Sequence, residues 1–468
     1  MDYDLIIIGH TPEAIYAAKK AVYLKARVAL VEQPSKAILG GAEITFKQTW
    51  YHFLKLSRQW ENLTLDNFSP EIPDLKNWSQ EVNLTLEKEN SLANLAVLGV
   101  DIIPFGGEFC RQPQLGFRVK DRYLRSPAYL ITTGAYYSPL AAQAALKQIG
   151  YLTLTELLGL KNLTVLPQNL VIIGDDPSSL EIAQILARIG KNITLITNKI
   201  LPKEDPEVSR FIQAQLEADQ IKIISEKLLQ IKIIEGKKWL QVGNIALETD
   251  EIIVTNATHP NTEGLNLEGV GVNWDLSGIK VNQKLQTTNP KIYACGNVIG
   301  DYNLAHVGEY EAEIAVKNCL FLPCFKVNYQ TIPLVIFTDP VLAKVGLSET
   351  EAVKKFGQKV SSYQAYYRKI SQAQLTDEIT GFCKLIIRDD GKILGCYLVG
   401  KNAEELINLI NLAIKNNLKI TSLERLIYPS WTISEIISST ANLWTERKNH
   451  SAPNILQYFY NLRRLFSK

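Results

Sequence analysis

Three short stretches of this 468-residue sequence carry residue types whose spacing suits chemistry. "GHTPEA", residues 9–14, follows an apolar run and puts a glycine where the chain must turn sharply. A strand, tight turn and helix start of this kind aims backbone N–H groups at a phosphate. Gly9 suits the turn, the Thr11 hydroxyl can donate to a phosphate, and Glu32, closing the next apolar run, can accept from ribose hydroxyls. "GDDPSS", residues 174–179, repeats the pattern but sets Asp176 where a glycine would let backbone approach a pyrophosphate. At about 4 Å each such like-charge pair costs roughly 1 to 4 kcal/mol between water and a protein-surface dielectric. "LGGAEITFKQTWYH", residues 39–52, has Gly40 and Gly41 paired like the entrance to a redox site, yet no cysteine follows.

Six cysteines occur elsewhere, at 110, 295, 319, 324, 383 and 396. Their scatter fits reduced, buried thiols rather than a secreted disulfide framework. Cys319 and Cys324, in "VKNCLFLPCF", have no glycine-rich approach and read as two core or interface thiols. No cluster suggests a metal. Lys plus Arg number 50 against 48 acidic residues, a net charge of +2, which gives no reason to expect nucleic acid. "MDYDLIIIGH" begins with acids and enters a strand pattern, and no apolar run reaches the roughly 18 residues of a membrane span. A cytoplasmic protein is the expectation.

The elements that must position these residues follow from apolar periodicity. "DLIIIG" and "RVALVE" read as strands buried on both faces, joined by a helix with Ile15, Ala18, Val22 and Tyr23 on one side. "NLVIIG", "DDPSSLEIAQILARIG" and "NITLIT" repeat the βαβ grammar at 169–197. From Thr331 onward, alternating strands, a turn at Asp389-Asp390-Gly391 and the helix "AEELINLINLAIKNN" suggest an α+β domain.

These landmarks, with "YLITTG", "ILPKEDPEV", "KIYACGNVIG", "NLAHVGEYEAEIAVKN" and "IPLVIFTDPVLAKVGLSETEA", resemble the pyridine nucleotide-disulfide oxidoreductases, in the branch of dihydrolipoamide dehydrogenase and mercuric reductase. The resemblance implies an α/β chain: two Rossmann-like nucleotide-binding domains plus a C-terminal α+β dimerisation domain. It places an FAD-binding domain at 1–150 and 271–330, an NAD(P)-binding-like domain at 151–270, an interface domain at 331–440 and an amphipathic tail at 441–468. It implies FAD against Gly9, Thr11, Glu32, Gly40, Gly41, Thr133, Gly134, Gly296, Asn297, Leu304, Ala305 and His306, with Asn297 standing for an aspartate.

The same resemblance marks what is missing. Glu43 and Gln48 stand at the two redox cysteines, Lys47 at the glycine between them, and His52 at a lysine. Ser430 stands at the histidine or tyrosine of the acid-base motif, Trp431 at its proline, with Glu435 at its carboxylate. A serine is no proton acceptor near neutral pH without a base beside it. Asp176, Ser179, Thr197, Asn198, Ala257 and Thr258 depart from the nicotinamide pattern, while Glu181 is retained. Nicotinamide binding of the usual kind is therefore expected to be lost.

Two functions follow: a homodimeric FAD-binding scaffold, redox-silent toward NAD(P)H, or a flavoenzyme passing electrons directly to a quinone, metal or protein acceptor. In the tail, Ile455, Tyr458, Phe459, Leu462 and Phe466 share a helical face, with Arg463, Arg464 and Lys468 at the end. That face suits docking on the interface domain or second subunit, a protein partner, or an anionic membrane surface.

Overall fold

The computed structural model describes residues 2–34, 45, 47–52, 55, 75–137, 146, 149–160, 163–255, 258–300, 304–449 and 455–466. The chain forms two compact units, residues 1–199 with 219–327, and residues 200–218 with 328–468.

The first unit is built on two parallel sheets. The first contains β1 (Leu5–Ile8), β2 (Val28–Val31), β3 (Asp101–Ile103) and β4 (Tyr129–Ile131). The second contains β5 (Leu152–Thr153), β6 (Asn169–Ile173), β7 (Asn192–Ile196), β8 (Lys222–Ile224) and β9 (Glu251–Val254), before β10 (Ile292–Ala294) returns to the first. The sheet orders are β10-β4-β1-β2-β3 and β8-β7-β6-β9-β5. Every residue of β1 and β2 is buried, so the apolar runs have both faces covered, as a parallel sheet demands. Leu5 to Ile8 pair in register with Val28 to Val31.

Helix α1 (Pro12–Tyr23) joins β1 to β2, and α2 (Pro177–Arg188) joins β6 to β7. The buried face of α1 is Glu13, Ala14, Ala17, Ala18 and Ala21, and Tyr23 is 72% exposed. Of the expected face, Ala18 is buried and half-buried Ile15 and Val22 pack against the core, and only Tyr23 is corrected. α1 packs against α4 (Ala305–Leu320), and close approach of two helices favours the small alanines at the centre of the contact.

The second unit holds an antiparallel sheet of β11 (Leu334–Ile336), β12 (Leu342–Gly346), β13 (Val360–Tyr366), β14 (Phe382–Arg388) and β15 (Ile393–Val399), in the order β11-β12-β15-β14-β13. The expected turn joins β14 to β15, with Gly391 at φ +85°. Helix α5 (Ala403–Lys415) packs on β12 and β15, and α6 (Glu435–Asn449) on β13 and β14. Helix α3 (Pro206–Ala218) also belongs to this unit. Its approach is fixed by charge: buried Lys384 on β14 meets Asp205 at 3.3 Å, Glu349 at 2.6 Å, and Glu207. Helix α7 (Ile455–Phe466) ends the described chain.

All six thiols are free. Cys295, Cys383 and Cys396 are buried and Cys110 and Cys319 half-buried, but Cys324 is exposed. The expectation of a buried thiol fails there because the chain has left α4 for an irregular segment beyond Pro323.

Candidate cofactor sites

Because β1, β2, β4 and β10 run parallel, their C-terminal ends lie along one edge, where open α/β sheets bind ligands. Gly9 follows β1, Glu32 follows β2, Thr133 and Gly134 follow β4, and Gly296 and Asn297 follow β10. Gly9 has φ +125°, and a Cβ there would lie 2.2 Å from the Thr132 carbonyl oxygen, so no side chain fits this turn. Glu32 and Asn297 are half-buried at the edge. Leu304 is the N-cap of α4; it and Ala305 are half-buried, while His306 is exposed.

The Thr11 hydroxyl, expected as a phosphate donor, is committed elsewhere. It donates to the Thr132 carbonyl at 3.0 Å and accepts the Ala14 N–H at 3.4 Å, capping α1 with one of its own orphan donors. Buried Thr133 donates to the Asn261 carbonyl at 2.6 Å, and the Asn261 side chain returns a bond to the Thr133 carbonyl at 3.0 Å.

Glu13 is a residue that sequence reasoning passed over. It is buried, with its side chain against two glycines: a Cβ at Gly296 would lie 2.9 Å from its Cδ, and one at Gly308 2.3 Å from its Cγ. Burial pushes its carboxyl above the ordinary range and the Glu309 charge adds to this, against a hydrogen bond from its own backbone. Buried Glu311 accepts the Gly296 N–H at 2.8 Å. Burial, with Glu311 and Glu13 nearby, pushes the Cys295 thiol well up, so it is not a thiolate. The available signal was an acid inside a nucleotide turn, with glycines at 296 and 308 to receive it.

In the redox stretch, Gly40, Gly41 and Glu43 lie outside the described residues. Gln48 is half-buried on the helical stretch 47–52. Its neighbour Lys47 places Nζ 2.8 Å from Glu181 Oε2 and 3.0 Å from Ser178 Oγ. The two charged side chains are only 14% and 6% exposed, so this ion pair is nearly dry. It ties the helical stretch to the first turns of α2. Trp50 and Tyr51 are buried behind it.

At the second nucleotide turn, Asp176 is the N-cap of α2. One carboxylate oxygen accepts the Ser178 N–H at 3.2 Å, and the other accepts the Thr255 hydroxyl at 2.7 Å. A carboxylate is favoured there because the helix dipole and orphan N–H groups attract an anion. The side chain thus satisfies the Ser178 N–H and the Thr255 hydroxyl at the start of α2. Thr197 is buried and donates to the Lys199 carbonyl at 3.4 Å, Asn198 and Thr258 are exposed, and Ala257 lies outside the described residues.

In the second unit Ser430 is exposed. Trp431 has φ +63° and donates its N–H to Glu435 Oε1 at 3.0 Å, so Glu435 serves the start of its own helix α6. No group of three or more His, Cys, Asp or Glu placed to hold a metal occurs among the described residues.

The family model described as pyridine nucleotide-disulphide oxidoreductase matches residues 3–312, and its dimerisation domain matches 332–441. The chain is 29% identical over 457 residues to a mercuric reductase of Staphylococcus aureus, covering 93% of this chain and 81% of that protein. It is 26% identical over 476 residues to a dihydrolipoyl dehydrogenase of Chlamydia trachomatis, covering 96% and 98%. Among solved structures, LpdA of Mycobacterium tuberculosis superposes with a TM-score of 0.82 at 21% identity, covering 94% and 99%. The HOCl-induced flavoprotein disulfide reductase RclA of Escherichia coli gives 0.79 at 23%, covering 94% and 100%. With both family models matched in sequence along most of its length, the chain belongs to the FAD-dependent pyridine nucleotide-disulphide oxidoreductases.

Proposed function

We propose that this chain is a flavoprotein that has given up disulfide reduction and hydride uptake from NAD(P)H, and serves as a dimeric, partner-binding scaffold. The observation that carries this reading is the second nucleotide turn, where the Asp176 carboxylate accepts from Ser178 N–H and Thr255 Oγ1. A pyrophosphate there would meet a fixed negative charge, a loss of about fivefold to nearly a thousandfold in affinity for each like-charge pair at roughly 1 to 4 kcal/mol. NAD(P) does not fit these residues. Gln48 supports the same reading, since a carboxamide neither accepts electrons from reduced flavin nor forms a thiolate.

FAD fits the first turn better. Gly9, Glu32, Gly134 and Asn297 would hold it, with Thr133, Gly296 and Leu304 to His306 alongside. Bound there, FAD supplies a carrier of one or two electrons. The kept flavin-side stretches "ACGNVIG" and "NLAHVG" favour the second reading, direct transfer from flavin to a quinone, metal or protein acceptor.

The visible spectrum of the purified protein, taken without oxygen before and after NADH or NADPH, separates these cases. The scaffold reading expects a flavin band that persists. Bleaching within a catalytic time would overturn it. If the band persists, chemical reduction followed by a soluble quinone tests the second reading: prompt reoxidation favours an enzyme, and slow reoxidation leaves the scaffold.

A further inference from the structure

We infer that α7 is a surface-lying membrane helix whose partner is an anionic lipid bilayer. Tyr458, Phe459, Leu462, Leu465 and Phe466 recur at i, i+1, i+4, i+7 and i+8, a spacing that gathers them on one helical face. Four of them are open to solvent, at 66%, 60%, 74% and 86% exposure for Tyr458, Phe459, Leu465 and Phe466. A helix of 12 residues is marginal in water unless an apolar face finds cover. Among the described residues, four of the five apolar side chains on this face are therefore left open to solvent, with Leu462 half-buried between them.

Charge selects the partner. From residue 447 to 468 the sequence has five lysines and arginines and no aspartate or glutamate. The cations at the end of the helix give anionic headgroups a charge partner while the aromatic rings sit at headgroup depth. A second copy of the chain would bring two such cationic segments together, and this segment begins beyond residue 441, where the match to the family's dimerisation domain ends. A nucleic acid would engage the cations and leave the aromatic and aliphatic face in water. At about 1.5 Å per residue the helix is roughly 18 Å long, too short for the roughly 30 Å hydrocarbon core, so it lies along the surface rather than across it.

The inference is independent of the flavin reading, and its test reads partitioning rather than redox chemistry. The purified full chain is centrifuged with sucrose-loaded phosphatidylcholine vesicles, with or without about a third phosphatidylglycerol, at the charge densities where basic segments bind. The expected result is pelleting with the anionic vesicles and release by added salt. Arg463→Gln with Arg464→Gln should lower the partition coefficient about 25-fold, roughly fivefold per cation. Phe459→Ser with Phe466→Ser should lower it by roughly tenfold or more. Thermal melts of both variants check that the fold is kept. The proposal fails if the chain stays in the supernatant, if it partitions equally onto uncharged vesicles, or if the arginine variant binds like the parent. It also fails if the phenylalanine variant turns a dimer into a monomer in sedimentation velocity, which would assign the face to a second copy.

Discussion

At the scale of single residues, Glu13 shows how a nucleotide turn can keep its backbone and change its chemistry. Its carboxyl lies against Gly296 and Gly308, and burial raises its pKa above the ordinary range. A carboxyl whose folded value is raised costs stability as pH climbs from its unfolded value, near 4.3, toward the folded one. Glu13→Gln removes that cost while preserving shape. The variant should therefore melt at a higher temperature than the parent at neutral pH, and the gap should close as pH falls toward about 4. An unchanged or widening gap in acid would show that Glu13 is ionised in the fold. Nothing in the apolar periodicity of α1 announces this residue, because its environment is made by glycines nearly three hundred positions away.

Elements set the next scale. The start of α2 carries its own anion, and the consequences of removing it run in opposite directions. Asp176→Gly loses an N-cap carboxylate, which costs a few tenths to about 1 kcal/mol of stability, because glycine is itself a tolerated N-cap. It also clears space and charge from the turn. NADH binding, measured by calorimetry on the flavin-loaded protein, should strengthen at least about fivefold, since one removed like-charge pair is worth roughly 1 kcal/mol or more. Weaker stability without any gain in binding would mean that other departures, such as Thr197 and Asn198, close the site. A second junction is α3 against β14. Burial works against the Asp205 charge, but the N–H groups of Glu349 and Thr350, then Lys384, hold its carboxyl below the ordinary range. Stability from a depressed carboxyl is present above its unfolded value, about 3.9, and lost as pH falls through the folded one. The advantage of the parent over Asp205→Asn in a thermal melt should stay level down to about pH 4 and shrink below it.

For the whole molecule, the chain joins two parallel sheets in one unit to an antiparallel sheet in another, and the latter matches the family's dimerisation domain. Sedimentation velocity at micromolar concentration should give twice the chain mass, and the dimer should survive removal of flavin, because the matched dimerisation segment, 332–441, belongs to the second unit and the flavin-side turns to the first. Dissociation to a folded monomer on flavin loss would instead make the cofactor part of the interface. A dimer presents α7 in two copies, so membrane avidity would exceed that of one helix if both can reach the same surface.

Much of this was legible in the sequence. Continuous runs such as "DLIIIG" and "NLVIIG" specify strands that must be covered on both faces, and the glycine turns after them place the nucleotide edges. That no cysteine stands in "LGGAEITFKQTWYH" is a statement about residue type, so it needs no coordinates. What only the tertiary structure decided are relations between distant residues. Thr255 meets Asp176 across 79 positions, and Ser178 meets Lys47 across 131. Glu13 and four alanines fill the centre of the buried face of α1 where α4 comes close, which periodicity alone cannot state. The Thr11 hydroxyl went to the Thr132 carbonyl, 121 positions on, rather than remaining a phosphate donor. Local pattern encodes which surface each element must bury, whereas the partners of a polar group follow from which elements the fold brings within hydrogen-bond reach.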